Sequence, residues 1–190
     1  MRLSAPGVTD TATLTLVKDP RSDASEADLK AQFDLLIAIR DKVSEANNAV
    51  RTVRNMRDQV GDRLPRLSGS AAAEFRALSG DMTREQAAGE EEIYQVRNQS
   101  MEDPLNFPIK LNNQLASLTG MVATGDYKPT KQAREAFAAL SADLAKQTAA
   151  VKQSLDRRLP RLNDILKGAG LPPLVPSTDE RRKPKPNVAM

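Results

Sequence analysis

The stretch 137-FAALSADLAKQTAAVKQSLDRRLPRLNDIL-166 decides the fold of this chain. Its apolar residues recur at steps of three, four or seven, which places them on one stripe of a long helix. Thr130 can cap the start of this helix, and Gly168 can end it. The stripe consists of Phe137, Leu140, Leu144, Val151, Leu155, Leu159, Leu162 and Leu166.

A second long stripe lies near the beginning of the chain. Ser25 can cap the free amide of Asp28, which predicts that a helix starts there. Residues 26–64 would then span about 55 to 60 Å, because a helix rises about 1.5 Å per residue. Each long helix can bury its stripe against the other. The second stripe consists of Leu29, Phe33, Leu36, Val43, Ala46, Val50, Val53, Met56, Val60 and Leu64.

Between the long stripes, the sequence predicts two shorter helical segments, the first over residues 68–97. Gly80 and Asp81 interrupt its pattern, and residues 83–86 (Thr-Arg-Glu-Gln) have the spacing of a capping box. We therefore expect a break in this helix. The final turns of the two long helices, 62-DRLPRL-67 and 157-RRLPRL-162, resemble each other, and we expect each proline to bend or stop its helix.

The second shorter segment is predicted over residues 105–124, with Asp103 and Pro104 as its cap and first position, and Gly125 as its end. Its core stripe consists of Leu111, Leu115, Leu118 and Val122. The fold class that follows is all-α, an up-down bundle of two long and two shorter helical segments over residues 25–170.

The N-terminal segment, residues 1–24, has a different pattern. Ala12, Leu14 and Leu16 alternate with threonines, which is typical of a β-strand. Nothing later in the chain is patterned as its partner, so the sequence predicts an orphan strand that pairs in another chain or in a missing sheet. A leader without regular structure is the alternative.

The C-terminal segment, residues 171–190, is rich in proline and basic, and we expect it to be disordered after Leu171 and Leu174 pack locally. The net charge of the chain is only +3, and four cations lie in the last twelve residues. No aromatic residue accompanies them for stacking on bases. We therefore expect a solvated tail and no nucleic-acid partner.

The composition argues against enzyme chemistry. The 190 residues contain no His and no Cys, which excludes Ser-His and Cys-His nucleophile pairs, thiolate metal sites and Glu-x-x-His di-metal sites. The acidic run Glu90-Glu91-Glu92 is expected to form a solvated face, because contiguous carboxylates diverge around a helix. We expect no catalytic, metal or cofactor site, and therefore not an enzyme. No apolar run is long enough to cross a bilayer, and no signal peptide is expected.

The stretch 103-DPLNFPIKLNNQLASLTG-120 is the best local candidate for a binding site. Asn112 and Asn113 offer amide donors and acceptors close to Phe107 and Tyr127, and two prolines stiffen the backbone. The competing interpretation is a structural corner, in which the asparagines tie the third helix to a neighbour. The structural interpretation is favoured, and both remain open at the level of sequence.

Two stretches carry a resemblance to a known family: residues 13–35, which include Asp19-Pro20-Arg21, and residues 107–144, which include KLNNQLASL and GDYKPT. They are similar to the C-terminal region of large bacterial sortilin-like (Vps10-type) proteins. Those proteins are built from BNR/Asp-box β-propellers and are often labelled glycosyl hydrolases. The likeness covers residues 11–166.

The resemblance implies that the chain is the terminal helical piece of a secreted or periplasmic propeller protein, and that the strand partners lie upstream. It carries over no hydrolase activity, because the propeller repeats and any catalytic carboxylates are absent from these residues. We therefore expect a non-catalytic module that packs against protein. The alternative is a self-standing helical interaction protein that dimerises through its helix stripes or its strand edge.

Overall fold

A computed structural model describes residues 2–178 as a helical bundle preceded by a small β-hairpin. Two turns of 3₁₀-helix, Leu64–Arg66 and Asp103–Leu105, lie between the helices. The predicted all-α bundle with an N-terminal β-structure is confirmed. The elements are β1 (Arg2–Ala5), β2 (Val8–Thr11), α1 (Glu26–Arg63), α2 (Gly69–Ile93), α3 (Leu111–Ala123) and α4 (Lys131–Gly168).

The ends of the two long helices lie close to where their caps predict them. The Asp28 amide donates to the Ser25 hydroxyl at 3.1 Å, and the Ser25 amide donates to the Asp28 carboxylate, which completes a capping box. The Ala133 amide donates to the Thr130 hydroxyl at 3.1 Å. Helix α4 ends at Gly168, as expected.

The two long helices run side by side. The third place in the bundle is filled by α2 along one part of their length and by α3 along the other. Helices α1 and α4 have 38 residues each, or about 57 Å. Along α1, Ile39 packs with α3, Ala46 packs where α2 and α3 meet, and Met56 packs with α2. Helix α3 therefore continues in the direction of α2, and the bundle has three helices in cross-section along its length. Three apolar clusters follow one another along this axis.

Helix α2 is continuous, so the break expected at Gly80 and Asp81 is wrong. A glycine costs a helix about 1 kcal/mol relative to alanine, and tertiary contacts compensate that cost. Helix α2 packs along α4, and residues such as Phe75 and Met82 are fully buried on either side of Gly80. The helix also ends at Ile93, four residues earlier than predicted.

The two similar proline turns adopt different structures. Pro65 follows the end of α1 and lies in the 3₁₀ turn Leu64–Arg66. Pro160 lies inside α4, which continues for eight residues to Gly168. The helix therefore stops near its proline in α1 only, and α4 continues through Leu162 and Leu166 in the core to its predicted end at Gly168.

The third helix begins at Leu111 and not at residue 105. Asp103 does not cap it. The Asp103 carboxylate instead accepts hydrogen bonds from the backbone amides of Gln99 and Ser100, in the turn before. After α3, Gly125 has φ +70°, a conformation that favours glycine, and the chain turns there towards α4.

The N-terminal β-structure lies earlier than predicted and is not an orphan strand. Strands β1 and β2 pair antiparallel, with Leu3 opposite Asp10 and Ala5 opposite Val8. Pro6 and Gly7 form the turn, and Gly7 has φ +79°. Residues 12–19 have no regular secondary structure, so the alternation of Ala12, Leu14 and Leu16 does not extend the strand.

After α4 the chain folds back on the bundle. Leu174 is fully buried in the cluster that includes Met56 and Phe75, and Leu171 packs against it, which confirms the expected local packing. The prediction of a disordered basic tail falls mainly on residues 179–190, which lie outside the described residues.

Candidate functional site

The corner at the start of α3 has the geometry of a structural joint. Asn112 is buried, and its Nδ2 lies 3.5 Å from Oδ1 of Asn47 on α1. Its Oδ1 accepts the backbone amide of Asn113 at 2.8 Å. The side chain thus links α3 to α1, as the structural interpretation expects, while Asn113 itself is exposed.

The aromatic residues expected beside the two asparagines are not gathered there. Tyr127 follows the opposite end of α3, about 20 Å from the helix start, and is mostly exposed. Phe107 lies before α3, with the Arg97 guanidinium 5.7 Å from its ring centroid. The structure therefore does not assemble Asn112, Asn113, Phe107 and Tyr127 into one site.

The acidic run on α2 is not a uniform solvated face. Glu90 is only 3% exposed, and its carboxylate binds Arg54 Nε at 2.7 Å and Arg57 Nη2 at 2.6 Å, both from α1. Glu91 and Glu92 are exposed. Because α2 is unbroken, Glu90 lies on the same stripe as Met82, Gln86 and Ile93, which faces the core.

The exposed N-terminal arm, defined here as residues 2–21, is a surface that packing of the bundle leaves unexplained. Every residue of the arm is exposed. Among the described elements, β1 and β2 contact each other but none of the helices. Leu14 and Leu16 are 62% and 87% exposed, and Val17 is 84% exposed.

The hairpin of the arm has one apolar face. Paired residues of antiparallel strands point to the same side, so Leu3, Ala5 and Val8 share a face with Asp10 at its end. The opposite face carries Arg2, Ser4, Thr9 and Thr11. Both sheet edges are unpaired within the described residues. A two-stranded hairpin with an exposed apolar face is at best marginally stable on its own.

The base of the arm is tied down by short polar contacts. Arg21 binds the Asp19 carboxylate through Nη2 at 2.8 Å, and this hydrogen bond holds the pKa of Asp19 below its ordinary value. Lys18 Nζ donates to the carbonyls of Ser22 and Ala24. Residues 18–24 are therefore held in a turn immediately before α1, whereas residues 2–17 of the arm project from the bundle.

A cleft of about 680 Å³ lies where this base meets the loop between α3 and α4. Its lining includes the carboxylates of Asp28 and Asp126 and the cations of Lys128 and Arg21. Within residues 2–178, no group of three His, Cys, Asp or Glu side chains is placed to hold a metal ion. The cleft thus offers mixed charge, in which Arg21 is paired with Asp19.

No helix among the described residues combines the length and apolar character that a membrane span requires. Comparisons with protein-family models, with curated proteins and with solved structures find no match to this chain. The arm and the bundle must therefore be interpreted from their own chemistry.

Sequence reasoning missed the hairpin although its turn is visible in the sequence. The residues Ala5-Pro6-Gly7-Val8 contain the Pro-Gly pair that marks a turn, and Leu3 and Val8 lie on either side of it. The longer alternation of threonine and leucine after Thr11 gave the stronger strand signal. Burial of Glu90 also had a signal, namely its helical spacing from Gln86 and Ile93, provided that α2 continues through Gly80.

Proposed function

We propose that this chain is a non-catalytic helical module that attaches to another protein unit through its N-terminal arm. The unit is a β-rich domain of a sortilin-like propeller protein, as the resemblance of residues 13–35 and 107–144 implies. The single observation that carries the proposal is the exposure of the arm, whose leucines and valines lie outside the core of the bundle.

The exposed apolar groups of the arm support a role in attachment. Leu3, Val8, Leu14, Leu16 and Val17 fall within fifteen consecutive residues, and each is more than half exposed. Scattered single apolar residues are normal on a protein surface, but several large exposed ones within one short segment are typical of a surface that another element covers. Burial of these side chains would stabilise the attached state.

The open edges of the hairpin support a β-rich partner. An unpaired strand edge presents backbone amides and carbonyls that a further strand can bind, and strand addition is a common mode of attachment. A β-sandwich or propeller blade can extend β1 or β2 and cover the face of Leu3 and Val8. The bundle would then act as a rigid spacer about 57 Å long at the end of the larger protein.

The nucleotide sequence directly upstream of the Met1 codon tests this proposal. The proposal predicts an in-frame coding stretch with Asp-box repeats. An in-frame stop codon followed by a ribosome-binding site would contradict covalent attachment to a propeller. That outcome would favour the second candidate, a self-standing protein that dimerises through the arm.

Light scattering of the 190-residue chain separates the two candidates. A dimer that becomes monomeric when Leu14 and Leu16 are both replaced by Lys supports self-association through the arm. The matched control replaces Thr13 and Thr15 by Lys, which adds the same charge next to the apolar positions. A monomer whose arm is cleaved readily by trypsin contradicts self-association.

A further inference from the structure

The segment that follows α4 binds to the bundle in the way that an extended peptide binds to a receptor. We call residues 171–176, Leu-Pro-Pro-Leu-Val-Pro, the C-terminal strap. The Leu174 side chain is 1% exposed and lies in an apolar pocket with Met56, Phe75 and Leu162. The strap thus buries one anchor side chain between helices from different parts of the chain.

Two side-chain amides hold the backbone of the strap at consecutive residues. The Leu174 amide donates to Asn163 Oδ1 at 2.7 Å, and Asn163 Nδ2 donates to the Leu174 carbonyl at 3.1 Å. Val175 makes the same pair of bonds with Gln59, at 2.9 Å from its amide and 2.7 Å to its carbonyl. Each amide side chain reproduces the two-bond pairing of an antiparallel β-ladder.

The two amides come from different helices, which makes them a clamp on either side of the strap. Gln59 lies on α1 and Asn163 on α4. Gln59 is 5% exposed and also donates to Asn55, so its amide is shielded from water, while Asn163 is half-buried. A buried amide requires hydrogen-bond partners, and an extended backbone supplies them.

The contacts define which peptides the clamp accepts. The residue in the place of Leu174 must be apolar and must have a backbone N–H, and so must not be proline. Val175 also uses its N–H, but its side chain is 56% exposed, so that position tolerates many residues. No hydrogen bond of this clamp uses the positions of Pro173 and Pro176. The contacts therefore require Leu-x, with x any residue except proline, and they tolerate proline on either side, so that Pro-Leu-x-Pro is one accepted sequence.

We propose that the groove formed by Gln59, Asn163 and the Leu174 pocket is a peptide-recognition groove. The strap of the chain itself keeps it closed, and an extended Pro-Leu-x-Pro peptide of a partner protein displaces the strap. Recognition depends on backbone atoms and one leucine, and none of these contacts requires the peptide to be joined to α4. Proline-rich peptides are extended before they bind, which lowers the entropy cost of binding.

The short covalent link to α4 explains why the strap competes well with a free peptide for the groove. Ala169 and Gly170 form the hinge, with Gly170 at φ +68°, and the Leu171 amide donates to the Leu166 carbonyl at 2.9 Å. So short a connection gives the strap an effective concentration on the order of millimolar or higher. A free peptide must therefore bind after the strap opens, and weakening the strap should reveal the groove.

Fluorescence anisotropy of a labelled LPPLVPS peptide tests the proposal on the full chain. In the Leu174→Asp variant the strap is displaced, and we expect the peptide to bind with a Kd in the micromolar range, at least tenfold tighter than to the wild-type chain. Adding Gln59→Leu should weaken that binding tenfold or more. The matched control Val175→Asp changes an exposed side chain and should behave like the wild type, and a labelled LPPDVPS peptide should not bind.

Absence of peptide binding to a Leu174→Asp variant that retains its helical circular dichroism, at about 1 mM variant, would overturn the proposal. If that variant loses its helicity, hydrogen exchange of the wild-type chain tests the proposal instead. Exchange of the Leu174 and Val175 amides by local opening, faster than the centre of α1, supports the proposal, and exchange only through global unfolding overturns it. A dimer that exchanges straps between copies would also overturn it, because the occupant would be a second copy.

Discussion

Glu90 shows how a single buried charge joins two helices of this bundle. Its carboxylate lies 3% exposed between two arginines that are 45% and 44% exposed, so each guanidinium retains contact with water while the carboxylate does not. The Arg54 guanidinium also lies 4.8 Å from the centroid of the Tyr94 ring. Charge-assisted hydrogen bonds of this kind compensate the desolvation of the carboxylate.

Replacing Glu90 by Gln should lower the free energy of unfolding by about 2 kcal/mol. The amide keeps one acceptor for the arginines but loses the charge that both of them bind. Urea denaturation measures the difference, and Glu91→Gln is the control, with an expected change below about 0.5 kcal/mol because Glu91 is exposed. Equal effects of the two substitutions would show that the two arginines do not stabilise the fold through Glu90.

Two glycines inside α2, Gly80 and Gly89, should respond in opposite directions to replacement by alanine. A Cβ at Gly80 meets nothing within 4 Å, so Gly80→Ala should stabilise the protein by about 0.5 to 1 kcal/mol through helix propensity. A Cβ at Gly89 would lie 2.9 Å from Cγ2 of Val151 on α4, so Gly89→Ala should destabilise it by about 1 to 3 kcal/mol. Thermal unfolding measures both, and destabilisation by Gly80→Ala would contradict a continuous α2.

The ion pair between Glu85 and Arg158 should make stability depend on acid pH. The hydrogen bond from Arg158 lowers the pKa of Glu85 from its ordinary value of 4.5. The unfolded chain therefore takes up this proton first as pH falls, so the stabilisation is complete above 4.5 and is lost as pH falls through the lower folded pKa. Arg158→Gln should raise the pKa of Glu85 in an NMR titration, whereas Arg84→Gln, at an exposed position, should not.

At the scale of elements, the sequence predicts what local chemistry determines. Ser25 and Thr130 cap their helices through bonds within four residues, and both starts were predictable. The continuity of α2 through Gly80 depends on neighbours far along the chain, and tertiary packing overrode the local signal of the glycine there. The passage of α4 through Pro160 follows the apolar stripe that the sequence already shows. The burial of Glu90 follows from its helical spacing from Gln86 and Ile93 once α2 is continuous.

The N-terminal arm should contribute little to the stability of the bundle. Replacing Leu14 and Leu16 together by Lys should change the thermal midpoint of the isolated chain by less than about 2 °C, because both side chains are already exposed. Leu144→Lys is the contrasting variant and should lose more than about 3 kcal/mol, because Leu144 is fully buried. A large loss of stability in the arm variant would show that the arm packs on the bundle.

At the scale of the whole molecule, the helical bundle carries two terminal segments of opposite character, the C-terminal strap and the N-terminal arm. The strap is docked at one end, with its anchor leucine buried and its backbone bound by two amides. The arm, which precedes α1, is exposed and has an apolar face. The sequence predicted the bundle from its periodicity, but not the hairpin or the clamp. The clamp depends on Gln59 and Asn163, two amides that only the folded chain brings together.

Hydrogen exchange of the isolated 190-residue chain tests most directly whether the arm requires an outside partner. Our account predicts a monomer in which the amides of β1 and β2 exchange at nearly unprotected rates while those at the centre of α1 are strongly protected. A monomer whose β1 and β2 amides are protected as strongly as those of α1 would contradict the account, because the arm would then be complete without a partner.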